Sequence, residues 1–287
     1  MKPPPFTHHA PADVPGALRL LTGLGPDAKI LAGGQSLIPL LNMRLAAPGH
    51  LVDINRLTTL DTVDADAGGV RVGALARHAR LERDAAAART QPLLRRALRL
   101  VAHPVIRNRG TAVGSLAHAD PAAELPAVLA LLGGTVELAS ASGTRTLGAD
   151  EFFLGPLESA ARPDELVVAA HFPAVPGRTG SAFEEVARRH GDYALAGAAV
   201  TVTLDDDLRV ATARAAYVGV GAPPPVLDLT PVAAGLEDWP DLPAYVAARV
   251  DPEPDIHASA AYRRHLAAEL TGRALRAACR DARGERT

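Results

Sequence analysis

Between residues 173 and 180 the chain reads Pro-Ala-Val-Pro-Gly-Arg-Thr-Gly, and the hydrophobic patterning changes across it. Two prolines and two glycines in eight residues cannot continue a helix or a central strand. The segment therefore closes one folding unit and opens another. Residues 1–174 and 180–282 are the two expected domains.

Ahead of the break, short apolar runs alternate with amphipathic stretches. Strands are expected over 29–32, 50–54, 70–75, 136–139 and 166–172, and helices over 37–45, 92–102 and 122–132. The turn-rich stretch 103–115 reads as a loop. Behind the break, 182–187, 196–204 and 209–220 read as an antiparallel meander, the last two runs joined at Asp205-Asp206-Asp207. Helices follow, the longest over 258–280. Alternating elements followed by a meander and helices give an α+β class.

Composition removes several functions. The chain has one cysteine, Cys279, so it can build neither an internal disulfide nor a four-cysteine zinc or iron–sulfur site. Any such cluster must lie on a partner, and Cys279 reads as a small packed residue. The formal charge is −2, with no block of Lys or Arg, which argues against a nucleic-acid binder. No apolar run approaches the ~18 residues of a membrane span. The opening MKPPPFTHHAP carries a single charge and no apolar run, unlike a secretory signal, so the expected location is the cytoplasm. His8-His9 reads as a solvated terminus, and no histidine spacing suggests a metal site.

Three segments could hold a ligand. Gly33-Gly34-Gln35-Ser36 lies between a strand and a helix, where glycines admit close backbone approach and helix-start N–H groups suit a phosphate. An ordinary strand–helix turn would look the same, and the spacing matches neither a dinucleotide fingerprint nor a P-loop. The second is RGTAVGSLAHADPAAELP (109–126), with Thr111, Gly114, Ser115, His118, Asp120 and Glu124 spaced to decorate one cavity. Asp120 could equally cap the helix that Glu124 then opens. The third is RRHGDYA (188–194), where Tyr193 could present its ring to a planar ligand or pack beside a turn. Gly219-Val220-Gly221-Ala222 reads as a turn before a proline run.

Together these segments resemble one family. AGGQSLIPLLNMRLA (32–46), GTAVGSLAHADPAAELPA (110–127) and ARRHGDYA (187–194) are similar to the FAD-binding medium subunit of the molybdenum hydroxylases. That group includes aerobic carbon monoxide dehydrogenase and xanthine dehydrogenase. The similarity extends to LVDINRL (51–57), VRVGALARH (70–78) and the stretch 255–275, and so spans nearly the whole chain.

The resemblance implies a two-part FAD-binding domain of the vanillyl-alcohol-oxidase-like (PCMH) type, followed by a small domain of antiparallel sheet plus helices. It also implies roles. Ala32, Gly33, Gly34, Gln35 and Ser36 would bind the FAD pyrophosphate through backbone N–H groups, bordered by Lys29, Ile30 and Leu31. Thr111, Ala112, Val113, Gly114 and Ser115 would grip the diphosphate from the other side. Glu124 would reach the sugar portion, with His118 and Asp120 in the same pocket. Tyr193 would lie against the isoalloxazine, close to Asp192. No residue of this chain would be catalytic and none would bind metal. Molybdenum–pterin would belong to a large partner subunit and iron–sulfur clusters to a small one, in a dimer of heterotrimers, with electrons leaving to NAD or another acceptor.

One position departs from the family pattern, which has two adjacent glycines in the second turn. Val113 occupies the first of those places. If that backbone needs positive φ or phosphate contact, a β-branched residue costs on the order of 1–3 kcal/mol and FAD retention should weaken. A free-standing flavoenzyme and a scaffold that has lost its flavin are the alternatives.

Overall fold

The chain is described from a computed structural model that covers residues 2–234 and 238–285. Asp13 starts the first helix: its Oδ1 accepts from Gly16 N at 2.7 Å, Pro15 falls in the first turn and Gly25 ends it at φ +59°. This helix, α1 (Val14–Leu24), buries Ala17, Leu18 and Leu21 and links β1 (Thr7–His9) to β2 (Ala28–Leu31). The short α2 (Leu37–Asn42) then leads to β3 (His50–Asp53), which lies between the other two strands in an all-parallel sheet. His8 and His9 are therefore part of the sheet rather than a solvated terminus. His9 Nε2 meets His50 Nδ1 at 3.0 Å, and His8 Nε2 meets Asp53 Oδ2 at 3.2 Å. Three residues are too few for alternation to announce a strand.

The second sheet is antiparallel. Its order runs β4 (Val63–Ala65), β5 (Gly69–Gly73), β10 (Leu166–Pro173), β6 (Thr135–Ser140), β7 (Gly143–Gly148). Between β5 and β6 runs a helical layer: α3 (His78–Arg83), α4 (Ala85–Thr90), α5 (Pro92–Leu98), α6 (Pro104–Arg107), α7 (Ala112–His118) and α8 (Glu124–Leu132). After β7 come α9 (Ala149–Phe152) and the small hairpin of β8 (Phe153–Gly155) and β9 (Glu158–Ser159).

Two expectations fail in this layer. The stretch 103–115 holds two helices, because its turn residues serve as helix starts: Pro104 opens α6, and Thr111 Oγ1 caps α7 by accepting from Gly114 N at 3.2 Å. Asp120 does not cap α8. Its Oδ1 accepts from Ala122 N at 2.9 Å, closing a separate turn, and Ala123 stands at the N-cap.

Past residue 178, β11 (Thr179–Ala187), β12 (Ala194–Leu204), β13 (Val210–Val218) and β14 (Val226–Asp228) form an antiparallel sheet in that order. The helices α10 (Leu242–Ala247) and α11 (Ala260–Ala282) follow. Both faces of this sheet are covered, which explains why β12 reads as a continuous run of small apolar residues. On one face Ala198, Val200, Ala215 and Tyr217 pack with Leu266, Leu270 and Ala274 of α11. On the other, Ala199, Ala216 and Val218 join the core that contains Leu125, Val128 and Leu129 of α8. The helical layer is tied to the C-terminal sheet and α11 by Arg96 of α5, which donates to Asp281 Oδ2 (2.8 Å), Ser181 Oγ (2.5 Å) and the Ser181 carbonyl.

Candidate cofactor site

The first turn is set by backbone chemistry. β2 ends at Leu31, Gly33 is buried, and Gly34 takes φ +75°, a conformation that a side chain resists. Ile38 N donates to Gly34 O at 3.0 Å and is the first donor used by α2. The N–H groups of the turn ahead of it thus have no acceptor within the helix. Gln35 Nε2 donates back to Gly33 O at 3.2 Å and stiffens the turn. Lys29 is exposed on β2, with Ile30 and Leu31 half-buried beside it.

The second turn packs directly on the first. A Cβ on Gly33 would lie 2.5 Å from the Arg109 carbonyl oxygen and 2.8 Å from Gly110 Cα, so only glycine permits this approach. In the first turn of α7, Ala112 N goes to Ala76 O (3.2 Å), Gly114 N to Thr111 Oγ1 (3.2 Å) and Ser115 N to Thr111 O (3.1 Å). That leaves the N–H of Val113. The expected strain at Val113 is absent: the residue lies in regular helix and its side chain is 2% exposed, packed in the core with Ala112 and Leu116. The close approach required here falls on Gly33, not on position 113.

A polar network that motif reading missed ties the two turns together. Asn55 Nδ2 donates to Ala32 O (2.9 Å) and Asp53 Oδ1 (2.7 Å). Arg77 donates through Nη2 to Asn55 Oδ1 (2.6 Å) and through Nη1 to the Arg109 carbonyl. Burial and the charge of Arg109 lower the Arg77 pKa, while Asp61 and Asp53 act in the opposite sense. His78 is next along the chain. Its N donates to Gly110 O at 2.9 Å, its ring is buried with neither nitrogen bonded, and burial aided by Arg107 pushes its pKa down to about 4. These residues stand in LVDINRL and VRVGALARH, where nothing but placement in the fold distinguishes Asn55, Arg77 and His78 as site neighbours.

Asp120, Asp192 and Tyr193 come together at a different place. They line a cavity of about 1020 Å³ with Arg188, Arg249 and Arg263, at the edge of the C-terminal sheet. The two glycine turns are not among its walls, nor are Thr111–Ser115, His118 or Glu124. Tyr193 is 66% exposed and follows the Gly191-Asp192 turn, so it is not a packed residue. Partial burial, then the charges of Asp120 and Glu124, raise its phenol pKa. Arg263, only 6% exposed, fixes the walls: it donates to Leu195 O (2.5 Å), Gly219 O (3.1 Å) and Asp255 Oδ2 (2.6 Å). Gly219, expected as a plain turn, thereby becomes part of the cavity rim.

Glu124, at the first position of α8, faces the charge of Glu185 on β11. Burial, then Glu185, pushes Glu124 up to about 8, and burial pushes Glu185 up to about 7. Glu185 Oε2 is buried without a hydrogen-bond partner. His118 closes α7, ahead of Ala119 at φ +52°. Among the described residues no three His, Cys, Asp or Glu side chains are placed to hold a metal, and no helix is long and apolar enough to cross a membrane.

Two contacting turns with unbonded N–H groups, beside an arginine that bonds only neutral oxygens, form a donor set suited to an anionic group, and the separate cavity lined by Tyr193 has room for a planar one. The family profile described as "FAD binding domain in molybdopterin dehydrogenase" matches residues 4–175, more than half of the chain. The chain belongs to this family. FAD is therefore its cofactor, and it is a subunit of an oxidoreductase. Residues 181–238 of this family member match the profile described as "CO dehydrogenase flavoprotein C-terminal domain".

Relatives cover nearly the whole length. The 6-hydroxypseudooxynicotine dehydrogenase complex subunit alpha of Paenarthrobacter nicotinovorans is 42% identical over 99% of this chain and 97% of its own. The structure of carbon monoxide dehydrogenase from Hydrogenophaga pseudoflava superposes with a TM-score of 0.90 at 35% identity, over 97% of this chain and 98% of that one. Quinoline 2-oxidoreductase from Pseudomonas putida 86 gives 0.88 at 36% identity, over 98% of this chain and 99% of that one. The molybdenum-hydroxylase medium-subunit resemblance and the α+β, FAD-binding architecture expected from sequence are both borne out.

Proposed function

We propose that this chain is the FAD-carrying electron-transfer subunit of a molybdenum hydroxylase, working beside a small iron–sulfur subunit and a large molybdopterin subunit. The observation that carries the reading is the contact of the two glycine turns, where Gly33 meets Arg109 and Gly110 closely enough that only glycine fits. When bound, FAD would supply the redox chemistry that links the partners' iron–sulfur clusters to NAD or another acceptor.

The chain's own work is binding and placement. The backbone N–H groups of Ala32–Ser36 and, within Thr111–Ser115, the N–H of Val113 would meet the diphosphate, with Lys29–Leu31 bordering the first turn. Glu124 at the start of α8, His118 at the end of α7 and Asp120 in the turn between them would meet the sugar portion. Tyr193 and Asp192, which line the large cavity, would hold the planar ring. None of these groups needs to act as acid, base or nucleophile. The domain limits supporting this division are 1–174 and 180–282, and the assembly we propose is a dimer of heterotrimers.

The test is the visible absorption of the purified chain, alone with added FAD and again co-expressed with its partner subunits. Flavin bands stoichiometric with protein, shifted from those of free FAD, are expected in both preparations. A folded chain that stays colourless with excess FAD and within the assembled complex would overturn the reading.

A further inference from the structure

Arg77 joins the two glycine turns from a third element. One guanidinium and one amide span the distance between them: Arg77 Nη1 holds the carbonyl of Arg109, Nη2 holds Asn55 Oδ1 at 2.6 Å, and Asn55 Nδ2 holds the carbonyl of Ala32 at 2.9 Å. Ala32 immediately precedes Gly33 and Arg109 immediately precedes Gly110, so the strut grips each turn one residue before its glycine. Arg77 is also anchored by its backbone, through the bridge between Arg77 and Thr111.

The charge of this strut is not neutralised by a bonded carboxylate. The nearest acids are engaged elsewhere: Asp53 with Asn55 and His8, and Asp61 with Arg80 at 2.6 Å. A half-buried cation that bonds only to neutral oxygens, with a second arginine beside it, costs free energy until an anion arrives.

We infer that Arg77 is a positioning residue for the cofactor's diphosphate: it fixes the spacing of the two turns, and its charge makes the gap between them favour a dianionic bridge. The inference rests on the assignment of the turns to the diphosphate made above. A purely structural strut would hold the turns without regard to the ligand's charge.

The full chain freed of flavin, titrated with FAD and separately with riboflavin by flavin fluorescence at several ionic strengths, distinguishes these roles. Arg77→Gln is expected to weaken FAD binding by roughly tenfold or more, the scale of a lost charge-assisted contact. It should also flatten the salt dependence and leave riboflavin, which has no diphosphate, unaffected. Arg77→Lys keeps the charge without the fork and is expected to lose less FAD affinity while retaining the salt dependence. It also serves as the readable variant if Arg77→Gln does not fold. Equal loss of FAD and riboflavin, unchanged FAD affinity in Arg77→Gln, or equal losses in Lys and Gln variants would overturn the inference. A wild-type chain that binds FAD no better than riboflavin would instead overturn the assignment of the turns.

Discussion

Replacing Val113 with glycine restores the usual family residue, and the structure requires that the change be harmful. On sequence grounds the substitution should relieve strain and tighten FAD. Val113, however, is the second residue of α7, in helical conformation, with its side chain 2% exposed in the main core. Removing a fully buried Val side chain costs about 1.5–3 kcal/mol in transfer free energy, and incomplete collapse adds a cavity contribution. Glycine inside a helix costs roughly 0.5 kcal/mol more than valine does. The expected loss is about 3 kcal/mol, a large share of the roughly 5–15 kcal/mol typical of a domain. Urea unfolding of the flavin-free chain measures it, and a parallel FAD titration should show no gain in affinity. Val113→Ala, which keeps helix propensity, should lose somewhat less. A Val113→Gly protein of unchanged stability that binds FAD more tightly would refute the reasoning and reinstate the strained backbone.

Other consequences concern pH and the joint between the sheets. His78 has its pKa depressed to about 4 from 6.5, so between those values the unfolded chain binds a proton that the folded chain does not. This stability is complete above pH 6.5 and is lost as pH falls towards 4, by about 3 kcal/mol, and His78→Phe should flatten that acid limb in urea midpoints. Glu124 and Glu185 run the other way. Raised to about 8 and about 7 from 4.5, they hold protons that the unfolded chain releases, so their contribution is complete below pH 4.5 and declines as pH rises to 8. Glu185→Gln should reduce that alkaline decline. Asp281→Ala removes the carboxylate that Arg96 and Ser181 N share, and should lower stability by about 1–3 kcal/mol in the same assay.

What sequence could and could not disclose follows from the range of each interaction. Gly33-Gly34 stands out because its turn is local: the strand before it, the helix after it and the positive φ of Gly34 all fall within a few residues. The meander after residue 178 is legible for the same reason, since Asp205–Asp207 join neighbouring strands. The 103–115 stretch misleads because Pro, Thr and Gly serve both loops and helix starts, and only the cap from Gly114 N to Thr111 Oγ1 separates the two. Val113 misleads more instructively. The motif suggests a glycine's place, while the burial that makes valine fit comes from elements distant in the chain. Arg77 and Asn55 were invisible as site residues because their partners, Ala32 O and Arg109 O, are backbone atoms 23 and 32 residues away.

The network also bears on how a site of this kind keeps its shape. Loops that bind by their backbone are costly to order, because each fixed residue surrenders about 1–2 kcal/mol of conformational entropy. Here that ordering is met within the protein by Gln35 on Gly33 O, Thr111 on Gly114 N, and Asn55 with Arg77 across both turns. A diphosphate arriving between such turns meets donors already aimed, and more of its interaction energy appears as affinity. The same logic explains why the strut ends on backbone carbonyls rather than on carboxylates. Carbonyl acceptors hold the geometry without cancelling the arginine's charge, which, on the proposed assignment of the turns, leaves that charge available to the cofactor's diphosphate.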